Sequence, residues 1–116
     1  MDAISTSLFV ESEKGIWAEV ILPLALPNVY TYHIPAQLVS QAKEGCRVEV
    51  VFGKNKKYSG LIKSILHQKP SYATKPILNV LDDFPILFPQ QLKLWNWISE
   101  YYMCTEGEVM AAALPS

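Results

Sequence analysis

The chain has 116 residues, half of them apolar and 18% charged, which is the size and composition of one ordinary globular domain. No apolar run reaches the ~20 residues that a membrane-spanning helix needs, and the first fifteen residues lack the basic head and apolar core of a secretory signal. The net charge of −1 argues against a general polyanion binder, and we expect a cytoplasmic protein.

The charges are unevenly distributed along the chain. The stretch from Lys43 to Lys75 contains eight basic and two acidic residues, whereas the rest contains two basic and nine acidic residues. Residues 43–75 are therefore positively charged, and the segments on either side of them are negatively charged. A solvated lysine-rich loop and an anion-binding loop both explain this pattern, and charge alone does not decide between them.

The N-terminal third predicts an arm followed by two strands. Residues 1–14 show no hydrophobic period and predict a mobile arm or an added edge strand, so that the single domain covers residues 15–116. Alternating apolar residues from Ile16 to Leu22 predict a core strand with one buried face. Prolines then favour an extended loop over Leu22–Pro27, and Val29–Ile34 resumes the alternation as a second strand. Ala36–Lys43 is either a short helical turn or an irregular link.

A β-hairpin is the element around which the chain is organised. Residues 46, 48, 50 and 52 are apolar or cysteine, whereas Arg47 and Glu49 between them are charged, which predicts a strand with one buried face. The alternation stops at Gly53, where a turn rich in lysine and asparagine begins. Tyr58–Ile65 then predicts the returning strand. The hairpin therefore presents a positively charged loop next to a glycine.

The remainder of the chain changes from strand to helix. Pro70–Pro76 predicts a loop and Ile77–Leu81 another strand, which stops at Asp82-Asp83. Pro89–Tyr102 predicts a helix, and the capping box Thr105–Glu108 predicts a second helix that runs through Ala113 and is closed by Pro115. The first helix has one broad apolar face, which contains Leu94, Trp95, Trp97, Ile98, Tyr101 and Tyr102.

These elements predict an α+β fold. It consists of a small, mostly antiparallel, partly open β-barrel of the OB type over residues 15–82, followed by a C-terminal helical segment over residues 86–114. The aromatic residues of the first helix can form either part of the core or a stacking platform, and their helical spacing on an apolar face favours the core.

The sequence contains no catalytic constellation. A nucleophile elbow, an H-E-x-x-H motif, a P-loop and a dinucleotide fingerprint are all missing, so we do not expect an enzyme. Cys46 and Cys104 lack metal-ligand spacing and are predicted to be reduced, buried or half-buried thiols. Asp82 and Asp83 form a carboxylate pair, but their position beside a proline favours a role in a turn.

A different set of residues suggests binding to nucleic acid. Tyr30 offers an aromatic face, Gly53 leaves the backbone open to close approach, and cations are supplied by Lys54, Lys56, Lys57 and Lys75. A ring for stacking a base, bare main chain and lysines for phosphates are what proteins use to bind single-stranded nucleic acid.

Several segments, in the same order, resemble the N-terminal 3′-DNA-binding domain of primosomal protein N′, the PriA family of replication-restart helicases. The resemblance covers about residues 17–115. The segments that carry it are Val20–Pro27, Tyr30–Pro35, Gly45–Gly53, Lys75–Asp82, Leu94-Trp95, Tyr101-Tyr102, Gly107 and Ala113–Pro115.

The resemblance implies a function in DNA replication restart. In that family this domain holds the 3′ end of a nascent leading strand at an abandoned fork, without sequence preference, and separate helicase domains hydrolyse ATP. Those domains would carry the ATP, magnesium and zinc sites, so no cofactor is expected in this fragment. Implied partners are DNA, the helicase core of the same protein, and primosome or single-strand-binding proteins. The alternative is a module for protein interaction or interdomain packing.

The resemblance also implies a pocket for the terminal nucleotide at Tyr30, Thr31, Gly53 and Lys75. Tyr30 would stack on the last base, Gly53 would let the sugar approach the backbone, and Lys75 would meet a phosphate or a base edge. Relatives commonly carry an aspartate where Thr31 stands, and that aspartate can accept a hydrogen bond from the 3′-hydroxyl. Because a threonine accepts more weakly, either the end selectivity is lower here or another acceptor has taken over.

Overall fold

A computed structural model describes residues 15–26 and 28–114. The predicted arm over residues 1–14, Pro27 and Pro115 lie outside these residues. The elements in chain order are β1 (Ile16–Ile21), β2 (Tyr30–Ile34), a 3-10 turn (Ala36–Leu38), β3 (Arg47–Phe52), β4 (Lys56–Leu66), β5 (Asn79–Val80), α1 (Pro89–Tyr101) and α2 (Glu106–Ala113).

The predicted hairpin is confirmed as the β3–β4 pair. The two strands are antiparallel, and Phe52 pairs with Lys56 at the closed end. Gly53 and Asn55 in the loop have φ angles of 72° and 60°. Glycine and asparagine are the residues that adopt this left-handed conformation most readily, so the loop sequence matches the turn it must make.

The strands form one antiparallel sheet in the order β2-β1-β4-β3-β5. The segment before β5 connects β2, at one edge of the sheet, to β3, near the other edge. The His33 amide donates to the Lys75 carbonyl and the Ile77 amide donates to the His33 carbonyl, both at 2.9 Å, while the Leu78 amide donates to the Glu49 carbonyl at 2.8 Å. The sheet thus curls into a small barrel, and with the two C-terminal helices it confirms the predicted α+β class.

The strand predicted over Ile77–Leu81 is only partly present. Asn79 and Val80 alone form β5. The reason is that Ile77 bonds to β2 whereas Leu78 already bonds to β3, so this segment crosses between two partners and has no long ladder on either.

The core has two parts, one on each face of β1. Inside the barrel, Ala18, Val20 and Leu22 pack with residues of β2, β3 and β4. On the outer face, Ile21 packs with Trp95 of α1 and with residues of α2. The prediction that β1 buries one face was therefore incomplete, because the helices cover the face that alternation assigns to solvent.

The prediction that the aromatic residues of α1 belong to the core is wrong for most of them. Trp95 is buried, but the exposed fractions of Trp97, Tyr101 and Tyr102 are 55%, 65% and 67%. The rings of Trp97 and Tyr101 stack on each other, with centroids 5.0 Å apart and planes 13° apart. The buried stripe is narrower than predicted, since Leu92, Trp95 and Ser99 are the buried residues of α1.

The second helix begins as predicted. The Glu108 amide donates to Thr105 Oγ1 at 3.1 Å, and the Thr105 amide donates to Glu108 Oε1 at 2.9 Å, which completes the capping box. No helix among the described residues is long and apolar enough to cross a membrane.

Candidate nucleic-acid interface

An open cleft of about 800 Å³ lies where β2 begins, beside the end of β3 and the loop that precedes Lys75. The four residues predicted for the terminal-nucleotide pocket all line it, namely Tyr30, Thr31, Gly53 and Lys75. They are brought together because the barrel closes here, with β2 on one side and residues 72–75 on the other. The structure therefore unites the predicted set in one place, and the role of each residue stays a prediction.

Tyr30 is the first residue of β2 and is half-buried. Its ring meets the ring of Phe52 edge-on, with centroids 4.9 Å apart and an interplanar angle of 61°, and Phe52 in turn meets Tyr58. Edge-to-face pairs of this kind are favourable and hold rings in place. Tyr30 is thus a ring with a fixed orientation at the border of the cleft, which is what stacking on a base requires.

Gly53 and Lys75 meet across the cleft. Lys75 Nζ donates a hydrogen bond to the Gly53 carbonyl at 3.1 Å, while the main-chain carbonyl of Lys75 accepts from His33. No atom of the described residues lies within 4 Å of a Cβ placed on Gly53, so open space adjoins its backbone in that part of the protein. The hairpin loop and the Lys75 ammonium group therefore border the same free volume.

Thr31 faces a carboxylate that the sequence did not single out. Glu19 of β1 is the cross-strand partner of Thr31 in β2 and of Ser64 in β4. Glu19 lines the cleft, and its Oε1 accepts a hydrogen bond from Ser64 Oγ at 2.7 Å. The polar end of the cleft is thus made by a hydroxyl and a carboxylate.

The three other predicted lysines lie outside the cleft. Lys54, Lys56 and Lys57 are exposed in the hairpin loop and at the start of β4. Lys56 Nζ lies 5.6 Å from the centroid of the Tyr58 ring, and Lys57 borders a different cavity with Ile86 and the end of α2. They lie on the hairpin whose residues Phe52 and Gly53 line the cleft, but they do not converge with Tyr30.

The sequence missed several residues that line the cleft. Phe52 was assigned to the buried face of β3, yet it forms the rear support of Tyr30. Tyr72 is an exposed aromatic residue that lies three positions before Lys75, in a loop without any period. An aromatic residue close to a lysine in a proline-bounded loop was the available signal. Glu19 left none, because an acidic residue on a solvent face of a strand is ordinary.

Asp82 of the carboxylate pair has a structural role that the sequence did not predict, as the ion-pair partner of Arg47. Asp82 Oδ2 accepts from the Arg47 amide at 2.8 Å, and Asp82 Oδ1 accepts from Arg47 Nη2 at the same distance. The hydrogen bond from the Arg47 side chain lowers the pKa of Asp82. Asp83 is exposed. Asp82 therefore fastens β3 to the segment after β5.

The remaining polar candidates do not form a second centre in the described part of the chain. Cys46 is a buried thiol and Cys104 a half-buried one, as predicted, and neither is in a disulfide. No group of three or more His, Cys, Asp or Glu side chains that could hold a metal ion occurs within residues 15–26 and 28–114.

Comparison with known proteins decides the family. A model of the 3′DNA-binding domain (3′BD) of PriA matches residues 19–115, which include every residue that lines the cleft. The chain belongs to the PriA 3′BD family.

Curated relatives with similar sequences are PriA replication restart proteins. The chain is 33% identical over 109 residues to the protein of Chlamydia trachomatis serovar D, covering 87% of this chain and 14% of the relative. It is 26% identical over 106 residues to that of Treponema pallidum, covering 86% and 16%. It is 28% identical over 105 residues to that of Bacillus subtilis, covering 86% and 13%. This 3′BD thus spans less than a fifth of the length of these relatives.

Proposed function

We propose that this chain is the DNA-binding part of a replication-restart protein, where it captures the 3′ end of a nascent strand at a stalled fork without sequence preference. The observation that supports this most directly is that Tyr30, Gly53 and Lys75, which are distant in sequence, border one cleft. Its volume of about 800 Å³ is in the range of small-ligand pockets, which suits one terminal nucleotide.

Each of these three residues has a distinct task in the proposal. Tyr30 stacks on the last base, and because every base has a π-face, stacking does not depend on sequence. The open space beside Gly53 admits the sugar. An ammonium group has three donors, so Lys75 keeps its bond to the Gly53 carbonyl and still offers hydrogens to a phosphate. Lys54, Lys56 and Lys57 add attraction at longer range.

Fluorescence anisotropy with a short single-stranded oligonucleotide labelled at its 5′ end tests the stacking role. We expect Tyr30→Ala to weaken binding by about 1–3 kcal/mol, which corresponds to roughly 5- to 150-fold in Kd. Tyr30→Phe retains the ring and should bind almost as well as the wild type. Tyr101→Ala, which removes an exposed ring outside the cleft, is the matched control. Unchanged affinity in Tyr30→Ala would contradict the stacking role.

Salt and strand ends test the other two parts of the proposal. The logarithm of the binding constant should fall linearly with the logarithm of salt concentration. The slope should become shallower in Lys75→Gln and in a variant with Lys54, Lys56 and Lys57 all changed to Gln. Oligonucleotides that differ only in the last base should bind alike. Equal affinity for a 3′-hydroxyl and a 3′-phosphate end would remove the end-capture part and leave general binding to single strands.

A second candidate role is packing against another protein surface. The exposed rings of Trp97 and Tyr101 on α1, and of Tyr102 directly after it, favour this role, because large apolar patches commonly mark interfaces. The surface they meet would be the helicase core of a longer polypeptide, or a primosome or single-strand-binding protein. Changing Trp97 and Tyr101 to Ser should leave the anisotropy titration unchanged if these rings serve protein contacts, and should weaken it if they bind DNA.

The proposal assigns no catalytic step to this chain and no bound cofactor. ATP, magnesium and zinc would belong to other domains of a longer protein, and the work of this domain would be done in the cytoplasm, where forks restart. ATP hydrolysis by the purified chain, above the rate in buffer alone, would contradict this assignment.

A further inference from the structure

Glu19 is the one acidic residue among the described residues that line the cleft. It lies in the middle of β1, with Thr31 opposite on one neighbouring strand and Ser64 opposite on the other. Residues directly opposite each other in antiparallel strands share a face and lie close enough to interact. The carboxylate is therefore held at a fixed place in the cleft by the 2.7 Å hydrogen bond from Ser64 Oγ.

The charge of this carboxylate is not compensated by the described part of the protein. The ion pairs there join Arg47 to Asp82 and Lys63 to Glu106, and Lys75 donates to a carbonyl. Ser64 Oγ is the only hydrogen-bond partner of the Glu19 carboxylate within residues 15–26 and 28–114. Since an ionised carboxylate can accept about four hydrogen bonds, most of its accepting capacity is unused among the described residues.

A negative charge in a cleft that binds DNA needs an explanation, because it repels phosphates. A carboxylate gains from a ligand that brings a hydrogen-bond donor to it. On a DNA strand the donors are the amino and ring N–H groups of the bases and the terminal hydroxyls. The base donors differ in number and position from one base to the next, whereas every unmodified 3′ end has a hydroxyl.

We propose that Glu19 is the residue that makes the cleft select a free 3′-hydroxyl and reject a 3′-phosphate. This inference rests on the proposed function. Glu19 Oε2 accepts the hydrogen of the 3′-hydroxyl, Ser64 fixes the carboxylate through Oε1, and Thr31 adds a weaker hydroxyl partner beside it. A phosphate at the same place would stand against the carboxylate charge and would lack the hydrogen to donate.

The test compares one oligonucleotide with three different ends, a 3′-hydroxyl, a 3′-deoxy end and a 3′-phosphate, by anisotropy. Wild-type protein should bind the hydroxyl end about tenfold or more tightly than either other end, because sites built to bond a hydroxyl reject analogues that lack it. In Glu19→Gln the preference over phosphate should fall to within about twofold of unity, mainly because the phosphate end binds better. Ser64→Ala should lower the preference partially, since it frees the carboxylate without removing it.

Glu49→Gln is the control for net charge. Glu49 lies on β3 and accepts a hydrogen bond from Asn79 Nδ2 at 2.9 Å, and it does not line the cleft. Its removal changes the charge of the protein equally and should leave the ratio between the three ends unchanged. Circular dichroism melts of all variants identify any that do not fold. If Glu19→Gln does not fold, Ser64→Ala takes its place in the comparison of the three ends.

The outcomes separate this inference from the proposed function. If wild-type protein prefers the hydroxyl end and Glu19→Gln retains that preference in full, Glu19 is not the selecting residue and the proposed capture of 3′ ends stands. If the wild type binds all ends alike but depends on Tyr30, the inference fails together with end capture, and DNA binding stands. If no single strand binds, the proposed function itself is overturned.

Discussion

Substitution of Gly107 by alanine sets two physical effects against each other. Gly107 is the second residue of α2 and is buried. In most helices an alanine is better than a glycine by about 1 kcal/mol. Here, however, a Cβ would lie 1.9 Å from the Leu24 carbonyl oxygen and 2.3 Å from the Leu22 carbonyl oxygen. The helix rests directly on the main chain that follows β1, and only a hydrogen atom fits between them.

The steric effect should decide the sign. Cβ atoms essentially never approach another heavy atom within 3.0 Å, so α2 must withdraw by about 1 Å. That movement would loosen the packing of Met110 against Ile21 and Trp95 in the outer core. Overpacking costs typically about 1–3 kcal/mol and occasionally more, and two main-chain oxygens that cannot rotate away put this site at the upper end. After subtracting about 1 kcal/mol of helix propensity, we expect Gly107→Ala to lose about 2 kcal/mol.

Urea denaturation followed by circular dichroism measures this loss, and a thermal melt should show a fall in Tm of roughly 10 °C. Ala112→Gly, at an exposed position of the same helix, is the control, and it should cost only about 1 kcal/mol. A Gly107→Ala protein as stable as the wild type, or more stable, would refute the close approach of α2 to residues 22–24.

Three further predictions concern the ion pairs and the hairpin loop. Because Arg47 lowers the pKa of Asp82, the contribution of Asp82 to stability should be complete above roughly pH 4, the ordinary range of an aspartate. This contribution should disappear as the pH falls through the lower pKa of the folded state. Arg47→Met should flatten this part of a plot of unfolding free energy against pH, and an unchanged slope would contradict the prediction. Lys63 Nζ lies 2.7 Å from Glu106 Oε1, and Glu106 Oε2 is buried without a hydrogen-bond partner among the described residues. Lys63→Met should therefore lose about 1–3 kcal/mol in urea denaturation. The double change with Glu106→Gln should recover part of that loss, and no recovery would show that the two side chains are not coupled. Gly53→Ala should cost about 1–2 kcal/mol of stability because its φ is 72°, and it should also weaken DNA binding if a sugar occupies the space beside it, whereas Asn55→Gly in the same loop should affect neither.

The sequence predicted those elements in which the period of apolar residues matches the faces that are buried. The alternation across Val48, Val50 and Phe52 identified β3 because one face of that strand meets the barrel interior and the other meets solvent. The same logic was insufficient for β1, whose outer residue Ile21 is covered by helices that are distant in sequence. It also overestimated the core share of α1, because the spacing of Trp97 and Tyr101 shows that they share a face but not whether anything covers it.

The cleft was predictable only in part. Tyr30, Gly53 and Lys75 were proposed from residue type and from the family resemblance, and the structure brings them together. Their approach depends on closure of the barrel, which involves main-chain hydrogen bonds that no side-chain pattern encodes. Glu19 escaped notice for the same reason, since its position next to Thr31 follows from strand register.

The short stretch from Lys75 to Ile77 serves two purposes at once, since it borders the cleft on one side and seals the barrel against His33 on the other. The affinity for a ligand in the cleft and the stability of the barrel are therefore thermodynamically linked. Local opening of the hydrogen bonds between this stretch and His33 would also disrupt one side of the cleft. The rate at which this domain releases DNA would therefore depend partly on how often these hydrogen bonds open.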